Sequence, residues 1–332
     1  MQDTCILIRH PTRREGQTAL ALNYLRALRL VYNNNIKIID TTKLGIISTS
    51  KYGLYLTEAL ITAPTNCNEI HLLNVNKVIP ALMNKLVGHK KVFSYQFSYL
   101  PKIHSNWRIK RTIIESGSNI VIGSSRRIAG LFRNGVFIKP PIDIELFKPR
   151  DKVLVRKILG LPVNRRIIGY IGDVDEMRGF DIVAKLANTT ISNLLFLIVS
   201  LHVDNISRDA TLNLARAVRN GSALLIFKKV PIWYVYNSVN ALLLPIRGDY
   251  PTEPPMTLLE ALASGTPVIA SLSQSMLDYK DLYISVKDDE WGDVKSIISN
   301  EELLKEYGER AREYMVKNHN YKAIASELEK LL

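Results

Sequence analysis

The sequence predicts an α/β protein built from two doubly wound, parallel-sheet domains. Three observations carry that expectation. The chain has 332 residues, more than one ordinary core serves and enough for two. Short aliphatic runs alternate with stretches at helical spacing along most of its length. Finally, Asn240 to Ser271 reads as a complete strand–helix–strand unit. Ala241 to Ile246 is an apolar run too short for a helix and punctuated by Pro245 and Gly248. Pro254 and Pro255 fix φ where a helix starts, and Met256 to Ala263 contains good helix formers with no breaker. Gly265 stops the helix, and Thr266 to Ser271 is the second strand.

In chain order, Thr4 to Ile8 is the first strand. The basic loop His10 to Gly16 and a helix from about Gln17 to Val31 follow it. Asn33 to Asn35 is a turn, Ile36 to Ile39 a strand, and Tyr52 to Thr62 an amphipathic stretch. Glu69 to Leu73, Lys91 to Tyr95 and Asn119 to Gly123 are further strands, with a helix at Arg108 to Glu115. Ser124 and Ser125 cap a short helix through Phe132. Val136 to Ile138 leads into Pro140-Pro141-Ile142-Asp143-Ile144-Glu145-Leu146-Phe147-Lys148-Pro149, whose prolines give the stiffness of a hinge. The expected domains are therefore 1–149 and 150–311.

The second half alternates more clearly, with strands at Arg166 to Ile171, Leu194 to Val199 and Ala223 to Phe227. Helices are expected at Phe180 to Asn188, Asp209 to Asn220 and Ile232 to Ser238, before the strand–helix–strand block. Charged residues at helical spacing fill Asn300 to Leu332. Ligands of such sheets bind at the carboxyl ends of the strands.

Composition narrows the function. The chain is 47% hydrophobic and 23% charged, as in a soluble globular protein. Two cysteines, Cys5 and Cys67, argue against a disulfide framework and for a reducing compartment. Charges at Asp3 and Arg9 and the lack of a following apolar run give no secretory leader, so the expected location is cytoplasmic. Residues 1–150 hold 22 Lys and Arg against 8 Asp and Glu; the remainder holds 22 against 23. An excess confined to one half suits an anionic partner, either an acidic membrane surface or a nucleic acid. No metal-binding array of the CxxC or HExxH kind appears.

The chemistry concentrates at the start of the Met256 helix. The amides of Met256, Thr257 and Leu258 lack partners within the helix and, with its dipole, suit a phosphate. A carboxylate repels phosphate, so Glu260 suits a neutral ribose diol; by itself it also reads as a complement to the helix dipole.

The string Thr252-Glu253-Pro254-Pro255 through Ser271 resembles the signature of the retaining GT-B glycosyltransferases, glycosyl transferases group 1 or family 4. Glu260, Ala261, Gly265, Pro267, Val268 and Ile269 stand where that family has them. The resemblance implies two Rossmann-like domains facing a cleft, with a last helix at about 312–332 packing back on the first domain. It implies donor ribose on Glu260, a sugar contact from Glu253 as the catalytic carboxylate, and donor diphosphate near Gly16, Gly172 and Arg178. Val230, in the strand end Phe227 to Pro231, falls at the nucleobase position. Members of the family need no metal and no cofactor beyond the nucleotide sugar itself.

Three departures stand out. Six residues separate Glu253 from Glu260, one fewer than the family has, and Thr252 stands eight before Glu260: either a loop one residue short gives Glu253 the first role or that carboxylate is missing. The histidine that ends the strand at Tyr95 is replaced by Gln96-Phe97-Ser98, and His104 in the next loop reads as solvated. In Gly172-Asp173-Val174-Asp175-Glu176-Met177-Arg178-Gly179, Arg178 fills the family's lysine place while Asp173 occupies its arginine place.

The expected function is transfer of a sugar from a nucleotide sugar, with retention, to a saccharide or lipid-linked acceptor at a membrane surface. Three rivals stand beside it: a silent nucleotide-sugar binder, a nucleic-acid-binding protein on the same scaffold, and a GT-B epimerase. No nucleic-acid module is recognisable.

Overall fold

The computed structural model describes residues 4–9, 16–42, 51–73, 78–189, 193–200, 202–203, 206–248, 252–287 and 290–332. The basic loop around His10 lies outside them. The chain divides into two compact units: unit 1 comprises Met1–Pro141, Pro251–Pro254 and Asn318–Leu332, and unit 2 comprises Ile142–Tyr250 and Pro255–Lys317.

In unit 1, strands β1 (Thr4–Ile8), β2 (Ile36–Asp40), β3 (Glu69–Leu73), β4 (Lys91–Gln96), β5 (Ile120–Gly123) and β6 (Gly135–Phe137) form one parallel sheet. Their order is β2-β1-β3-β4-β5-β6. Every residue of β1 and β3 is buried, as both faces of a parallel sheet require, whereas edge strand β2 leaves Lys37 and Ile38 exposed. Helices α1 (Gly16–Val31), α2 (Lys51–Thr62), α3 (Val78–Leu86), α4 (Leu100–Ile103), α5 (Trp107–Gly117) and α6 (Arg126–Ala129) connect them.

The core of unit 1 holds a polar chain. Tyr32 Oη donates to Glu69 Oε2 at 2.9 Å and lies 3.1 Å from His71 Nε2; His71 Nδ1 lies 3.0 Å from Tyr95 Oη. His71 stacks on Phe93 with ring centroids 4.7 Å apart. Burial, with Lys91 nearby, pushes its imidazole down to about 3.

Two expectations are corrected here. Cys5 and Cys67 are joined as a disulfide with Cα atoms 5.8 Å apart. The pairing of β1 with β3 sets Cys5 opposite Ile70, and Cys67 lies two residues before the start of β3, so strand adjacency unites cysteines that are distant in sequence. That bond removes the cysteine argument for a reducing compartment. The boundary also falls at 141/142 rather than 149/150. Phe147 packs edge-on to Tyr236 with centroids 6.0 Å apart, and Arg312 Nη1 donates to the carbonyls of Ile144 (3.1 Å) and Phe147 (2.8 Å). From Ile142 onward the expected hinge segment is thus part of unit 2, while Pro140 and Pro141 belong to unit 1.

Unit 2 holds β7 (Arg166–Ile171), β8 (Leu194–Val199), β9 (Ala223–Ile226), β10 (Ala241–Leu244), β11 (Val268–Ser271) and β12 (Ile284–Val286), ordered β12-β11-β10-β7-β8-β9. Its helices are α7 (Lys152–Leu159), α8 (Phe180–Asn188), α9 (Arg208–Arg219), α10 (Ile232–Ser238), α11 (Met256–Ala263), α12 (Val294–Ser299) and α13 (Glu301–Asn318). In unit 1, α14 (Tyr321–Glu329) packs on α1. From β7 the sheet grows outward through β8 and β9, then restarts on the other side with β10. The direction therefore reverses between β7 and β10, and the carboxyl ends of those strands form the crevice where such sheets hold ligands.

Candidate functional site

Gly172 follows β7 directly, with φ +152°, and the loop it opens folds back on it. A Cβ on Gly172 would lie 2.9 Å from Arg178 Nη1. The loop is pinned at its far end as well: Gly179 has φ +67°, and a Cβ there would meet the Pro245 carbonyl oxygen at 1.9 Å, so only glycine fits. Arg247 N donates to Met177 O at 2.9 Å from the same segment after β10. Between these anchors Arg178 is gripped by two carboxylates. Its Nη2 donates to Asp173 Oδ2 at 2.7 Å and its Nε approaches Asp175 Oδ2 at 3.2 Å.

Arg178 and Thr257 line one pocket, together with Tyr170, Ile171, Leu244, Ile246 and Pro255. Thr257 is the second residue of α11, so the helix N-terminus and the guanidinium converge at the crevice. The sequence expected three open amides there. The structure narrows them to those of Met256 and Thr257, because Leu258 N donates to Pro255 O at 3.1 Å as the first turn tightens.

Glu260 lies one turn along α11, on the same face as Thr257. Tyr236, on α10, donates from its Oη to Glu260 Oε2 at 2.8 Å, near Thr257. Burial and the Glu260 carboxylate push the Tyr236 phenol well above its ordinary value, so it remains a proton donor at neutral pH. Sequence reading missed Tyr236. Its only signal was a tyrosine within the short helix before β10, and its partner stands on a different helix.

Glu253 departs from its expected place. Its side chain is fully buried within unit 1. Oε2 accepts from Ser125 Oγ at 2.9 Å and from Arg127 Nε at 3.3 Å, while Oε1 is ion-paired with Arg127 Nη2. Its backbone nitrogen donates to Phe97 O at 3.0 Å, and its carbonyl accepts from Ser124 Oγ. Arg127 in turn lies over the Tyr99 ring, 4.0 Å from the centroid. The carboxylate expected at the sugar ring is thus enclosed by residues at the ends of β4 and β5.

Gly16 is the first residue of α1 in unit 1, and Val230 is half-buried between edge strand β9 and α10. His104 is half-buried, with Lys110 Nζ 2.9 Å from its Nδ1. Among the described residues no group of three or more His, Cys, Asp and Glu side chains is placed to hold a metal ion. Among them, too, no helix is long and apolar enough to cross a membrane.

Two six-stranded parallel sheets with this crevice define a GT-B fold, and solved structures agree. The chain is similar to Alr3699/HepE of Anabaena, solved in complex with UDP and glucose. The TM-score is 0.77 at 12% identity, covering 100% of this chain and 99% of that one. It is similar to sucrose-phosphate synthase from Thermosynechococcus elongatus, with TM-score 0.74 at 15% identity, covering 100% and 98%. Within this fold, residues 151–314 match the Glycosyl transferases group 1 family and carry its domain. A D-inositol 3-phosphate glycosyltransferase from Mycobacterium tuberculosis is 34% identical over 50 residues, which cover 15% of this chain and 10% of that relative. The match thus spans about a tenth of the curated relative's length.

Proposed function

We propose that this protein is a glycosyltransferase that takes a sugar from a nucleotide diphosphate donor held on unit 2 and passes it on with retention of anomeric configuration. The observation that carries this reading is the Thr257–Tyr236–Glu260 arrangement beside Arg178 at the crevice between β7 and β10. In it, the donor pyrophosphate lies on the amides of Met256 and Thr257, at the positive end of α11, with Arg178 as its cation. Tyr236 donates to one oxygen of Glu260 and fixes the orientation of the half-buried carboxylate, which is assigned to the ribose diol. Gly172 lets Arg178 approach the crevice, and Val230 is assigned to the base. As the sugar leaves, charge gathers on the diphosphate, and the helix end and Arg178 stabilise it without reorganising. The Glycosyl transferases group 1 match supports the transferase class, and the UDP in the Anabaena structure supports a nucleoside diphosphate carrier.

For the acceptor, the 22 basic against 8 acidic residues in the first 150 favour an anionic or lipid-linked molecule at a membrane surface. The enclosed Glu253 favours a second reading, a protein that binds nucleotide sugars without transferring them. Thermal unfolding with UDP, GDP, ADP and their glucose conjugates tests the donor site, because a ligand of the folded state raises the melting temperature. One nucleotide should raise it, and Glu260→Ala and Arg178→Ala should each remove the shift. No shift with any of them would sink the reading. Release of nucleoside diphosphate from the bound conjugate, followed over time, separates transfer from silent binding.

A further inference from the structure

At the head of β7 one positive charge is held between two negative ones. Asp173 Oδ2 takes Nη2 of Arg178 at 2.7 Å and Asp175 Oδ2 takes Nε at 3.2 Å, while Nη1 lies against Gly172. All three side chains keep some exposure: 25% for Arg178, 32% for Asp173 and 22% for Asp175. Arg178 lines the pocket with Thr257 and Pro255, and neither carboxylate is among the lining residues. The guanidinium, and neither carboxylate, therefore faces an anion held in that pocket.

The guanidinium and the carboxylates respond differently to ligand charge. Hydrogen bonds from a guanidinium to phosphate oxygens depend on geometry and reach. Repulsion by a carboxylate behind them grows with the total charge of the ligand. A diphosphate esterified to a sugar lacks the last ionisation of a free diphosphate, which occurs near pH of about 6 for a phosphate monoester. At neutral pH the free diphosphate carries more negative charge.

We propose that Asp173 is a specificity-determining residue that biases this pocket toward the sugar-bearing diphosphate and against the free nucleoside diphosphate, thereby favouring product release. The proposal rests on the donor-site reading above. It gives the departure at residue 173 a role: the carboxylate holds Arg178 in place and sets how much charge the pocket tolerates.

The test is titration calorimetry on the full chain, wild type and Asp173→Asn, with UDP, GDP and ADP and the glucose conjugate of each at pH 7.5. Asp173→Asn should tighten the free diphosphate about fivefold more than its conjugate, and the gap should shrink as salt rises. Asp173→Glu, which keeps the charge, should keep the wild-type ratio. If Asp173→Asn changes both affinities by one factor, or weakens both alike, Asp173 only positions Arg178 and the proposal fails while the donor site stands. If no pair binds either protein, the donor-site reading falls and the proposal falls with it.

Discussion

Glu253 and Glu260 belong to one short stretch of sequence and have opposite surroundings. Glu253 has no exposed surface, and Ser125 and Arg127 take its oxygens inside unit 1. Glu260 is half-buried in unit 2, with Tyr236 on one oxygen. The difference extends beyond the pair. Unit 1 also encloses the Glu69–Tyr32–His71–Tyr95 chain. The polar groups of unit 2 gather at strand ends, where Arg178, Asp173 and Asp175 each keep part of their surface in solvent. Enclosed polar groups are coupled to folding, because leaving one without its partner costs its desolvation. Partly open ones are coupled to ligands, because water replaces whatever is removed.

The largest effect expected from this contrast is a pH dependence set by His71. Its ordinary value of 6.5 is pushed down to about 3, chiefly by burial, so the unfolded chain takes up a proton that the folded chain refuses. The stability it secures is complete above pH 6.5 and is lost as pH falls toward 3, amounting to roughly 5 kcal/mol across that window. Urea unfolding at several pH values should show a slope that is clearly shallower in His71→Gln. Equal slopes would break the comparison on the unit 1 side.

Next in size is Arg127→Ala. It leaves the Glu253 carboxylate buried with Ser125 but without its cation, at a cost of about 3 kcal/mol. Adding Glu253→Gln should return part of that loss, because the buried charge then disappears. A cost below about 1 kcal/mol, the value of a surface ion pair, would mean that Glu253 is not enclosed in solution.

The same contrast marks what the sequence made legible. The fully apolar run Leu194 to Val199 and the strand–helix–strand block of residues 240–271 declare themselves through local pattern, and both appear, with β10 stopping at Leu244 before Pro245. Strand β12 was missed because Ile284-Ser285-Val286 is three residues long with an exposed centre. Helix α7 was missed beside the prolines of the preceding segment, although Asp151 caps it and Gly160 ends it. The placement of Gly172 and Arg178 after β7 and of Thr257 and Glu260 on α11 was legible because each lies in a contiguous string. Tyr236, the Arg127 grip on Glu253 and the Cys5–Cys67 bond were not, since each depends on segments that only the fold brings together. Six residues between Glu253 and Glu260 gave their spacing, but spacing does not say that Pro254 and Pro255 fall in different units.

The smallest effect on stability should come from Glu260→Gln. Glutamine keeps a carbonyl oxygen for the Tyr236 hydroxyl, and the half-exposed position needs no new buried partner, so stability should change by less than about 0.5 kcal/mol. Tyr236→Phe should cost about 1 kcal/mol, since it deletes a buried hydroxyl that donates to Glu260. If the proposed donor site holds, both variants should lose nucleotide-induced stabilisation, one by removing the charge assigned to the diol and the other by releasing its orientation. A chain in which Glu260→Gln unfolds as readily as Arg127→Ala would show that the two carboxylates share a structural role. A chain in which Glu260→Gln keeps both its stability and its nucleotide shift would show that the open carboxylate serves neither folding nor the donor, and the crevice between β7 and β10 would then have to hold its ligand through Arg178 and the α11 amides alone.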